Sequence, residues 1–328
     1  MSVIIPVASG KGGVGKSLTS VNLSIALASM GKAVILLDAD LGGSNAHTFL
    51  GIKNKNPGLG SIIHRKEKHL EDLLVSTRFD RLFLIPGDGQ FTGTTNPPIW
   101  AKRRIEKELP SLVADFILLD LGAGVNTFTL DMFLLSRKGI IVTTPEIPAL
   151  LNGYNFIKHA VIRIFQQHTK SNTPEGKLAN NLHARTLDNT SGIGLYGIIE
   201  HIRKENPEAA GLIQEDLKSF TPHVVLNMGT HQKDLAIGSN ISRACSRHLE
   251  IQADYLGFIP WYGAMRNCIN SQTSVFEEPA AAALSRAYKR LAQNIIKLES
   301  VASNRTTPLS HSELIDGLLE SEYEQEGA

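Results

Sequence analysis

The chain has 328 residues, 42% hydrophobic and 20% charged, a balance that excludes a disordered or fibrous protein and allows one large domain or two small ones. Lysine and arginine total 33 against 32 acidic residues, so no global field draws the molecule to nucleic acid or anionic lipid, although a local basic patch stays open. The two cysteines, Cys245 and Cys268, are too few for a disulfide framework or a C-x-x-C metal site, and are expected as buried thiols in a reducing cytoplasm.

The first residues, Met1 to Gly10, carry no cationic leader, and Pro6 interrupts their apolar run; they predict a buried strand rather than a signal peptide. No stretch reaches the roughly 18 apolar residues a membrane-spanning helix requires, so a cytoplasmic location is expected. Short apolar runs without alternation recur at Val3–Val7, Ala33–Leu37, Arg81–Ile85, Phe116–Leu119, Gly139–Val142, Val224–Leu226 and Tyr255–Ile259. Such runs suit strands buried on both faces. Helical patterns between them predict an α/β fold: a doubly wound, mostly parallel sheet flanked by helices.

The first helix is expected from Lys16 to Met30, with Gly31 at its end. Between Lys170 and Thr221 the strand–helix rhythm fails, and a segment of that length usually has structure or function of its own. Its Ile193–Ile202 stretch looks ordered, so an inserted subdomain or lid competes with a plain surface excursion. A helix is expected over Glu278–Leu298, with Leu284, Tyr288, Leu291 and Ile295 on one face. Residues 1–299 thus form one domain, with an insertion at about 170–221, and 300–328 form a polar linker and an acidic tail. In that tail Leu314, Ile315, Leu318 and Leu319 stand among six acidic side chains. An anionic bilayer repels such a helix, so no lipid binding through the tail is expected; docking on a partner or on the protein's own core suits it better.

Chemistry concentrates in Ser9-Gly10-Lys11-Gly12-Gly13-Val14-Gly15-Lys16-Ser17-Leu18, between the first strand and the first helix. Glycines let backbone N–H groups turn toward a phosphate, and the helix N-terminus adds its positive end. Lys16 can reach the β- and γ-phosphates of ATP, and the Ser17 hydroxyl can ligate Mg2+. A glycine-rich turn with a chance lysine is the plain alternative, and the full pattern weighs against it. Asp38 and Asp40 follow the second strand, and Asp120 closes a later one, in a Walker B arrangement beside the magnesium. Either of the first two alone reads equally well as a helix cap.

The second lysine of the loop, Lys11, makes the pattern resemble the deviant P-loop of the MinD/ParA family. By that resemblance Lys11 reaches across an ATP-bound homodimer to the partner's nucleotide. It also implies that Asp40 activates the attacking water and that Asp38 and Asp120 support the magnesium. Glu146 then lies near the dimer interface, while Asn227 reads the adenine edge, backed by Pro260 and Trp261. The runs Asp38–Asn45, Leu119–Val125 and Ala149–Lys158 resemble the flagellar-number-regulator branch most. The resemblance implies a Mg2+-dependent ATPase, slow and stimulated by a protein partner that the sequence does not name, which switches by dimerising. A DNA-partitioning relative is the first alternative, with basic clusters at His64–His69, Lys102–Lys107 and His201–Lys204 as phosphate contacts. An adaptor that binds ATP without hydrolysing it is the second, against which Asp40 and Asp120 speak.

Overall fold

Alternate side chains of a strand buried on both faces must each find a separate apolar layer, and the sheet is organised by that demand. The computed structural model describes residues 2–304 apart from 54–55, 65, 67–68, 88–96, 181 and 183–194. Its strands are β1 (Val3–Ala8), β2 (Val34–Ala39), β3 (Val75–Ser76), β4 (Leu82–Ile85), β5 (Phe116–Leu121), β6 (Ile140–Thr143), β7 (His223–Gly229) and β8 (Asp254–Pro260). They form one sheet in the order β3-β4-β2-β5-β1-β6-β7-β8. All seven expected strands are present and run parallel to one another. The eighth, β3, pairs antiparallel with β4 at the edge; two residues are too few to carry a periodic signal.

Every residue of β2 and β5 is buried. Val34 and Leu36 point into one apolar layer, Ile35 and Leu37 into the other. The first layer holds α1 (Lys16–Ser29) and the C-terminal helix Ala282–Asn304, whose Leu284, Tyr288, Leu291 and Ile295 are buried as their spacing predicts. Helix α1 stops where expected, with Gly31 in the left-handed region at φ 82° just past its end.

The second layer holds α2 (Thr127–Phe133), α3 (Ile147–His168) and the segment foreseen as an insertion. The described residues of that segment form helices Pro174–Asn180, Leu195–Glu205 and Pro207–Ser219. Leu195, Ile198, Ile199 and Ile202 repeat at helical spacing and are buried, as are Ala210, Ile213 and Phe220. Asn206 caps the last of these helices by accepting from the Ala209 N–H, and Pro207 occupies its first turn. His168 of α3 meets Asp216 at 2.8 Å, and Arg137 meets the same carboxylate at 2.5 Å. The described part of the segment is therefore continuous with the main core. The acidic tail lies outside the described residues.

Both cysteines are buried, and burial pushes the Cys245 thiol up to about 12. No helix among the described residues is long and apolar enough to cross a membrane.

His223 opens β7 and is buried at the amino end of the strands, 3.9 Å from Asp254. Burial lowers its pKa from 6.5 to about 4; Asp254 opposes the shift and Lys138 adds to it. The unfolded chain therefore takes up this proton at higher pH than the native one. Its contribution to stability is complete above 6.5 and is lost as the pH falls toward 4, a change of up to roughly 3 kcal/mol. Chemical denaturation at pH 7 and pH 5 should show wild type weakened at the lower value. In His223→Gln that difference should shrink by about 1 kcal/mol or more.

Candidate nucleotide-binding site

The loop after β1 turns through left-handed backbone at Gly13 (φ 85°) and Gly15 (φ 82°) and opens directly into α1. Gly15 occupies the N-cap position, where no side chain caps the helix. The N–H groups of the first turn are thus left for an anion. A methyl group at Gly15 would fall 2.2 Å from the Asn227 amide nitrogen, and one at Gly10 would fall 2.0 Å from the Asn152 carbonyl oxygen. These two positions are closed by protein. Gly12 and Gly13 face open space, with Lys11 exposed beside them and Val14 buried beneath. The loop is pinned from below and free above.

Beneath it, Asp38 of β2 and Asp120 of β5 stand opposite each other in register. Lys16 Nζ lies 2.7 Å from Asp120 Oδ1, and both side chains are almost fully buried. Ser20, one turn further along α1, donates its hydroxyl to the same oxygen at 3.1 Å. Asp120 Oδ2 is buried without a hydrogen-bond partner. Ser17 Oγ is 3.3 Å from Lys16 Nζ, so a hydroxyl, an ammonium and an unused carboxylate oxygen converge under the loop.

Asp38 is differently employed. Its Oδ2 accepts from the Ser44 hydroxyl at 2.7 Å and from the Asn45 and Ala46 N–H groups at 3.0 Å each. Its Oδ1 accepts from the Asp40 N–H at 3.2 Å. Burial first, then the charge of Asp120, pushes the Asp38 carboxyl up to about 6 despite these donors. The carboxylate thus shapes the loop that carries Asp40. Asp40 itself is only half buried, its Oδ1 accepting from the Gly42 N–H at 3.2 Å, and Gly122 of the loop after β5 approaches it closely. The loop after β5 is also tied to the phosphate loop, by Gly124 N–H donating to the Ser9 carbonyl at 3.2 Å.

To one side lies a cavity of about 400 Å3 lined by Leu18, Asn227, Met228, Pro260, Trp261 and Arg266, among others. Asn227 closes its inner end and donates Nδ2 to the Val14 carbonyl at 2.8 Å. An amide has a second N–H and an acceptor oxygen to offer a ligand edge. Trp261 and Tyr262 are exposed at the rim, where a planar ring has a surface to lie on. On the other side Glu146 is exposed at the start of α3, followed by the exposed Ile147 and Leu151.

The residues expected to act together at the phosphate loop and the strand ends do converge, and Asn227 and Pro260 border the adjoining cavity. Ser20, Ser44 and Asn152 were not foreseen. The four-residue step from Lys16 to Ser20 was a legible helical signal; the approach of Asn152 to Gly10 has no local one. The basic cluster at Lys102–Lys107 is partly spent on internal pairs. Lys102 binds Asp131 together with Arg163, and Arg104 binds Glu108 at 2.8 Å.

Residues 1–165 match the ParA family, described as NUBPL iron-transfer P-loop NTPase. Septum site-determining protein MinD of Bacillus subtilis is 28% identical over 218 residues, 66% of this chain and 77% of that one. The antiactivator FleN of Pseudomonas aeruginosa is 24% identical over 297 residues, 89% of this chain and 85% of its own. Among solved structures, septum site-determining protein MinD of Pyrococcus horikoshii OT3, complexed with Mg-ADP, superposes with a TM-score of 0.58 at 22% identity, covering 91% of this chain and 98% of that one. The phosphate loop, the strand-end carboxylates and the sheet order thus carry the same message as the matched half of the sequence: the chain is a P-loop NTPase of the MinD/ParA family.

Proposed function

We propose that the protein is a Mg2+-dependent ATPase that dimerises around ATP and uses the dimer to regulate or position a cellular assembly. The observation that carries this reading is the buried Lys16–Asp120 pair with its unpartnered Asp120 Oδ2, set beneath an open glycine loop. An unused buried carboxylate oxygen costs free energy unless a cation or its water shell completes it. Asp120 and Ser17, with Asp38 behind them, suit Mg2+, a hard ion that favours oxygen ligands. Bound there, the ion neutralises charge on the phosphates. Lys16 moves from Asp120 to the phosphates, the glycine N–H groups hold them, and Asp40 orients water for attack. Asn227 and Pro260, with Trp261, hold the base. Lys11, exposed above the loop, is free to reach a second subunit. Ile147 (72% exposed) and Leu151 (58%) sit beside Glu146 on the same side as Gly10, an apolar face that suits a dimer interface.

The alignment to FleN, which spans 89% of this chain, supports a flagellar assembly as the one regulated. A DNA-partitioning role is less favoured, because Lys102 and Arg104 are committed to carboxylates within the fold. The inserted helices, whose Tyr196 and Leu212 are large and exposed, serve as a partner-docking element outside the catalytic set.

Asp40→Ala should retain ATP binding and dimerisation while phosphate release falls by about 100-fold or more, the scale of a lost general base. Wild-type turnover in that variant excludes the role given to Asp40.

The two lysines should fail differently. Lys16→Ala should weaken ATP binding in the monomer by tenfold or more, since a charged hydrogen bond to a phosphate is worth about 1.5–3 kcal/mol. Lys11→Ala should bind ATP nearly as wild type yet stay monomeric by light scattering. An ATP-dependent dimer of undiminished strength in Lys11→Ala contradicts the cross-subunit role.

A further inference from the structure

At the opposite end of the strands from the glycine loop, where β1, β6 and β7 begin, lies a second cavity of about 380 Å3. Ile5, Leu135, Ile140, Ile295 and Leu298 supply its apolar walls, and the uncharged ring of His223 its floor. Arg137 and Lys138 stand at its mouth, each about one-third exposed. Their ion pairs, to Asp216 and to Glu299 at 3.1 Å, leave the mouth partly solvated and able to accept further carboxylates. The nucleotide reading uses none of these residues.

The C-terminal helix forms one wall through Ile295, Leu298 and Glu299, and its last residue is Asn304. At 1.5 Å per residue, the five residues past Glu299 carry the chain only about 7.5 Å beyond the mouth. Residues 305–328 lie outside the described structure and continue from that point. The nine residues 305–313 span at most roughly 30 Å when extended, ample to double back. The sequence that then arrives pairs apolar Leu314, Ile315, Leu318 and Leu319 with Glu313, Asp316 and Glu320.

We propose that this groove is the docking site of the chain's own acidic C-terminal segment, with its leucines and isoleucine against the apolar walls and its carboxylates beside Arg137 and Lys138. Three features select this occupant: the walls are aliphatic, the lining carries the two cations Arg137 and Lys138 against the single carboxylate of Glu299, and the segment starts within reach. Tethering gives the segment a high effective concentration, so even a few aliphatic contacts hold it. The docked segment sits at the amino ends of the strands, the end away from the phosphate loop, and leaves the nucleotide site clear.

Hydrogen exchange on the full chain tests this. Amides 312–320 should exchange at least tenfold more slowly than in a free peptide of residues 310–328, independently of protein concentration. Leu314→Asp/Leu318→Asp, changes confined to the tail, should restore the free-peptide rate, and so should Leu298→Glu in the wall. Carbodiimide cross-linking locates the segment without mutation: Lys138 should be joined to Glu313 or Glu320. Free-peptide exchange in the wild-type tail overturns the proposal. Protection that survives Leu298→Glu at an unchanged melting temperature overturns it too, as do cross-links from the tail only to other lysines. Protection that rises with concentration assigns the groove to a second copy's tail and overturns the intramolecular form.

Discussion

Two carboxylates in register on adjacent parallel strands cannot both stay ionised in a dry interior without a cation between or beside them. Asp38 and Asp120 are held in that relation by the pairing of β2 with β5, and Lys16 supplies the cation. The first turn of α1 must therefore sit where its lysine reaches under the loop, and the glycines before it must turn sharply enough to put it there. Ser20 on the next turn completes the arrangement. The position of the helix, the path of the loop and the spacing of the strands all answer to one buried charge balance.

The same balance divides the labour of the acidic groups. Asp38 is saturated by four donors from its own loop, so it acts as an internal cap that presents Asp40. Asp120 keeps one oxygen free of partners. Two residues of one type, a single strand apart, are set to different tasks by the number of hydrogen bonds each receives.

Most of the sheet was legible because strands buried on both faces must be continuously apolar, and each expected run became a strand. β3 escaped because Val75–Ser76 has no periodicity to read. The phosphate loop was legible because its requirement for small residues and lysine is local. The inserted helices were harder. Leu195, Ile198, Ile199 and Ile202 do repeat at helical spacing, but they become core only through the packing of this helix on Pro174–Asn180 and Pro207–Ser219, which no local pattern announces. The Asn152 contact with Gly10 was hidden for the same reason, being a matter of how a helix packs rather than of what it contains.

That contact has a mechanical corollary. The Asn152 carbonyl leaves no room for a side chain at Gly10, so the phosphate loop rests on α3 as on a stop. The helix has 22 residues and is about 33 Å long. Its far end carries His168, which is joined to Asp216 of the inserted helices. A tilt of one degree at the loop end displaces the other by roughly half an ångström for a rod of this length. Backbone adjustment at Gly10 must either be absorbed by the Asn152 peptide or travel the length of the rod, so the stiffness of one helix sets how much of the loop's motion the distant surface feels.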